Sequence, residues 1–281
     1  MSVNMQRVDR LDKYIRELQS GRHTGTAARD LYMANRQDLL AVTPQEAFQI
    51  FTSRFKQGDS AGVILEYLDK VINVFHLGLT AYNWQKPAAG SFLGLLRLEN
   101  EQLVKRLDEI SEKLQADSID CQRLSLLADV SELLEFEAHY LKKENILFPY
   151  MEKKQDRYEG VAIMWSLHDE ARSCLKEAIA ALADGQTAVR DETELSVLIG
   201  KLFFAMHGLV QKEEMILFPA ATELFSDGEF LEMLSQSYEY SFPFIGPENI
   251  PDRHEVAAML RESGSRMDNE FCTKGLNDYL I

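Results

Sequence analysis

The chain has 281 residues, enough for one large domain with a smaller companion and a tail. Its 45 acidic against 30 basic residues give a net charge of −15 and a pI near 4.9, which argues against nucleic acid and anionic membrane as partners and leaves a cationic ligand or a basic protein partner open. Three widely spaced cysteines, Cys121, Cys174 and Cys272, form no CxxC motif, so the sequence predicts free thiols in a reducing compartment, the cytoplasm.

In chain order, apolar residues recur at spacings of three and four, with no sustained period-two alternation, so the expected class is all-α. The charged start has no apolar leader core, and no export or membrane-spanning segment is expected. Helices are predicted over Met5–Gln19, Gly25–Asp38, Pro44–Gln57 and Ser60–Asn83. The third opens on "TPQE", Thr43 to Glu46, which combines an N-cap, a proline at the first helical position and a capping-box glutamate. "NWQKPAAGS", Asn83 to Ser91, gathers Pro, Gly and small residues and marks the expected boundary between an N-terminal helical domain, residues 1–86, and a second unit, residues 87–235.

That second unit reads as four helices, Phe92–Gln115, Ile119–Lys154, Glu159–Ala183 and Glu192–Leu224, joined by short polar connections, as in an antiparallel four-helix bundle. A short helix follows Ser226-Asp227. "SFPFIGPENIP", Ser241 to Pro251, cannot continue a helix, and residues 236–281 form a tail with one weak helix near Asp252–Glu262.

The bundle contains an internal repeat. "KKENILFP", Lys142 to Pro149, aligns with "KEEMILFP", Lys212 to Pro219, setting Glu144 over Glu214 and Phe148 over Phe218. The "ILFP" halves read as packing, with each proline bending or ending its helix. Met164 and Trp165 also read as core. Upstream of the two acids lie His139 and His207, and His168 falls on the helix between the repeats. At about 100° and 1.5 Å per residue, His139 and Glu144 diverge by roughly 140° and ~7.5 Å, whereas His207 and Glu214 share a face ~10 Å apart. Glu213 is nearer to His207 along the axis but turned away. Imidazole and carboxylate on facing helices suit iron, manganese or zinc, and buried charges are costly unless paired or metal-bound.

The segments "HYLKKENILFPYMEKK", "VAIMWSLHDEAR" and "KEEMILFPAATELF" resemble the haemerythrin-type HHE cation-binding family, in a branch with an N-terminal helical domain and often a C-terminal PAS domain, whose strand pattern is missing here. The resemblance implies a four-helix bundle with a non-haem iron centre, mono- or dinuclear, and roles in O₂ or NO binding or sensing, or in handling iron. It implies His139 and Glu144 on the second helix, His168 on the third, and Glu214 or Glu213 on the fourth as metal ligands, with His207 the nearest fourth-helix histidine that could join them. Two departures stand out. The first helix has Ser91 and Gly94 where histidines are expected, and Leu209, not His207, occupies the position that repeats His139. The rival expectation is therefore a metal-free bundle serving as a protein-interaction or regulatory module, with the N-terminal domain or the tail meeting a protein partner. A homodimer is left open, and binding or sensing is favoured over catalysis.

Overall fold

The computed structural model describes residues 3–154, 160–183 and 192–262. The start of the third bundle helix at Glu159, the connection after Ala183, and the chain beyond residue 262 with Cys272 lie outside the described residues. Within them the fold is all-α. Four N-terminal helices, α1 (Met5–Gln19), α2 (Thr26–Leu40), α3 (Pro44–Lys56) and α4 (Ala61–Ala81), precede the bundle. The "TPQE" signal performs as its residues dictate. Thr43 Oγ1 accepts from the Glu46 amide at 3.3 Å, and Glu46 Oε2 accepts from the Thr43 amide at 3.1 Å.

The first bundle helix, α5, spans Phe92–Ala116. The second is continuous but changes pitch: α6 (Ile119–Glu132), a 3₁₀ turn (Leu133–Phe136), α7 (Glu137–Lys142), a π turn (Lys143–Leu147) and α8 (Phe148–Lys154). The third is α9 (Ala162–Ala183). The fourth is α10 (Glu192–Lys212), a π turn (Glu213–Leu217) and α11 (Phe218–Leu224). Each "ILFP" therefore lets its helix run on rather than stop. A proline ring cannot donate and crowds the carbonyl four residues back, and the wider π turn immediately before Phe148-Pro149 and Phe218-Pro219 opens the ladder enough to accept it.

α12 (Asp227–Ser237) packs on the bundle against α5. A strap, residues 241–251, follows, fixed at its end by Tyr238 Oη donating to the Pro251 carbonyl at 2.7 Å. Residues 253–262 are helical. One buried apolar cluster runs from Val8 and Leu11 through Phe75 to Leu103, Phe148 and Phe218, so the N-terminal helices and the bundle share a core. α3 and α4 pack against the fourth helix at its π turn.

Two expectations need correction. Met164 is buried, but Trp165 is 39% exposed and meets Phe148 only with its ring edge-on. The run Glu192–Leu224 is also long and apolar enough, by length and composition alone, to cross a membrane, contrary to the expectation that no segment would be. In the fold it is a bundle helix, with Leu195, Ile199, Leu202, Met206 and Leu209 buried.

Candidate metal centre and the ion pairs that fill it

The two π turns begin on equivalent residues of the repeat, Lys143 and Glu213, and both point into the bundle. Lys143 is 0% and Glu213 1% exposed. The Lys143 ammonium donates to Glu213 Oε1. Glu213 Oε2 also accepts from Asn100 Nδ2 at 2.8 Å and lies 3.1 Å from His139 Nε2. On its other side His139 places Nδ1 2.8 Å from Glu99 Oε2, and Glu99 Oε1 accepts from Lys142. His139 therefore bridges two carboxylates, and each carboxylate carries one ammonium group. Burial works against the Glu213 carboxylate, yet Lys143 and His139 hold it well below the usual carboxylate range. Burial also lowers both lysines from their usual value, opposed by the acids they hold.

A second cluster adjoins the first. His168 lies with Nδ1 2.7 Å from Glu144 Oε1, and Arg172, one turn along α9, donates to Glu144 Oε2 at 3.0 Å and to Glu137. The Tyr140 ring stacks on His168 at 4.6 Å and meets His139 edge-on at 6.1 Å, joining the clusters. His168 is fully buried, and its Nε2 has no hydrogen-bond partner among the described residues. Burial pushes the His168 pKa well below its ordinary value, with Lys143 adding to the effect.

The six residues expected from sequence divide four and two. His139, Glu144 and His168 lie in the buried clusters, and Glu213 joins His139. Glu214 turns outward to Arg97 of α5, which donates to it at 2.9 and 3.1 Å. His207 stands half-buried beside Phe203, in a cleft formed with Asp69 and Asn73 of α4. The inward acid of the fourth helix is thus Glu213, and its repeat equivalent is Lys143, not Glu144. Sequence reasoning also left out Glu99, Asn100, Lys142, Lys143 and Arg172. Glu99 and Asn100 were detectable, because they interrupt the apolar stripe of Leu95, Leu96, Leu103 and Leu107 on α5.

The first-helix departures have a local cause. Ser91 caps α5, accepting from the Gly94 amide at 3.1 Å. A Cβ on Gly94 would stand 2.1 Å from the Ala88 carbonyl oxygen, so no side chain fits there.

A four-helix bundle with acids and imidazoles from all four helices facing one buried centre has the build of a cation-binding bundle. Residues 91–221, which hold the bundle, match the family described as the hemerythrin HHE cation binding domain. No significant match was found among curated proteins or solved structures.

The donor set of this chain does not fit a metal ion as it stands. A transition metal needs several unshared imidazole or carboxylate donors converging on one point. Here both His139 nitrogens, the carboxylates of Glu99 and Glu213, and Glu144 are engaged by side chains of the chain itself. Among the described residues, no group of three or more His, Cys, Asp or Glu side chains is arranged to hold an ion.

Proposed function

We propose that this protein is a metal-independent regulatory or interaction module, in which the HHE bundle is a scaffold joining the N-terminal helices to the C-terminal strap. One observation carries the reading. The equivalent lysines of the two repeats each fasten a flanking segment to the bundle. Lys212 donates to Asp69 of α4 at 2.8 Å, and Lys142 donates to the Ser241 carbonyl at 3.0 Å while contacting the Phe242 ring at 4.3 Å. The same repeat position thus meets the chain on both sides of the bundle. The acidic surface suits a basic protein partner, met through the N-terminal helices or the tail.

A second reading keeps a non-haem iron site that binds or senses O₂ or NO. The buried, unpartnered His168 Nε2 favours it, because such a nitrogen is a free donor in a water-poor core. One experiment separates the two. Protein purified without chelator is analysed for iron, manganese and zinc beside a His139→Ala/His168→Ala double variant. The module reading expects only trace metal, equal in both proteins. Stoichiometric metal that disappears in the double variant would establish the second reading instead.

A further inference from the structure

The Lys143–Glu213 pair joins the same position of two repeat copies, seventy residues apart, with opposite charges. Had both positions carried the acid of the second copy, three buried carboxylates, Glu99, Glu213 and the new one, would surround His139 with only the Lys142 ammonium to balance them. Buried carboxylates in that number need another cation, because water no longer solvates their charge and no partner compensates it. Had both positions carried lysine, the excess would be positive. With one of each, Glu99 and Glu213 meet Lys142 and Lys143, so each buried carboxylate has its own ammonium partner without any bound ion.

We propose that the ammonium group of Lys143 is the resident cation of this centre, and that this one residue decides whether the bundle is closed to, or dependent on, a divalent metal ion. The inference rests on the metal-independent reading above and goes further by naming the residue responsible. The Lys143 nitrogen reaches Glu213, which also touches His139 and Asn100, so it stands among the donor atoms an ion would need. In a Lys143→Glu variant, Glu213, Glu99, His139 and the introduced carboxylate are left facing one another, an oxygen and imidazole set suited to Zn²⁺, Mn²⁺ or Fe²⁺. The swap Lys143→Glu/Glu213→Lys exchanges the charges across the pair and leaves the number of charges of each sign unchanged.

The test compares full-length wild type, Lys143→Glu and the swapped double variant, each titrated calorimetrically with Zn²⁺ and with Mn²⁺ and melted with and without EDTA. Wild type and the double variant should take up less than a tenth of an equivalent and melt at the same temperature in both conditions. Lys143→Glu should bind at least one equivalent, and metal should raise its melting temperature by five degrees or more over EDTA. Should Lys143→Glu not fold in EDTA, refolding on addition of Zn²⁺ is the same result, and a variant that metal cannot rescue overturns the proposal. A double variant no more stable than Lys143→Glu in EDTA also overturns it, because the pair would then not be the balancing element. Stoichiometric metal in the wild type would instead defeat the module reading itself, so the two failures are distinguishable.

Discussion

Glu213 and Glu214 are neighbours with the same charge, yet their surroundings differ. Glu213 is buried among Lys143, Asn100 and His139, whereas the Glu214 side chain keeps 26% of its surface and meets Arg97 at the bundle edge. Removing one partner of a buried pair leaves the other charge uncompensated, so Glu213→Ala should cost about 3–5 kcal/mol. Glu214→Ala should cost about 1 kcal/mol or less, because water can solvate the freed guanidinium. Urea unfolding of the two variants checks the contrast, and equal losses would mean the buried network is not built as described. The two residues also show why the site was only partly legible in sequence. Histidine and glutamate attract notice as ligands, but which of two adjacent acids faces inward depends on π turns that shift the phase of the helix. A lysine in the core is found only by asking what lies opposite Glu213 in the repeat.

His168 gives a pH dependence at the same scale. Its folded pKa lies well below the ordinary 6.5, so the unfolded chain takes up a proton there that the native state does not. Its Nδ1 partner Glu144 is already held by Arg172, which limits the pull of that carboxylate toward imidazolium. Stability from this residue is therefore fully present above about pH 6.5 and falls as pH drops below it, by up to about 1.4 kcal/mol per pH unit. His168→Gln removes the titrating group while keeping a donor toward Glu144. Denaturant midpoints measured from pH 7.5 to 5 should show a shallower decline for His168→Gln than for wild type, and parallel curves would mean that His168 does not titrate on unfolding.

At the level of elements, the helices follow closely from periodicity, caps and breakers, because these are local signals that the fold does not override. Ser60, Ser91, Ser118 and Ser226 all cap their helices as N-caps with side-chain acceptance. The π turns had no comparable local signal beyond the prolines that follow them. Glycines show how element and context interact. Gly94 sits beneath the Ala88 carbonyl, while a methyl group added at Gly200, on α10, would meet nothing within 4 Å. Gly94→Ala should therefore destabilise the start of α5 by about 1–3 kcal/mol through overpacking. Gly200→Ala should stabilise α10 by about 0.5–1 kcal/mol through backbone entropy. Thermal melts of both variants test the pair, and a neutral Gly94→Ala would show that the Ala88 segment yields freely.

At the scale of the molecule, the question is whether the bundle merely holds its flanks or transmits between them. The path is continuous: Asp69 on Lys212, the fourth-helix π turn from Glu213, Lys143 and His139 on Glu213, Glu99 on His139, Lys142 on Glu99, and Ser241 on Lys142. On the strap side, the Phe244 ring stacks on Phe136, which stacks on His139. Phe244 sits at φ 66°, a left-handed conformation costly for a bulky residue and retained by these contacts and by Arg106 over its ring at 4.2 Å. Lys142→Met keeps the buried stem but removes the donor to Ser241 and Glu99. In native-state hydrogen exchange it should raise exchange at least tenfold in residues 241–250, a change of about 1.4 kcal/mol in local opening. If the centre transmits, Asp69→Asn, at the opposite end, should also raise exchange in the strap. Exchange confined to α4 in Asp69→Asn would make the bundle a rigid holder of two independent flanks. A response in both places would make the buried ion pairs the link through which the N-terminal helices and the strap sense one another.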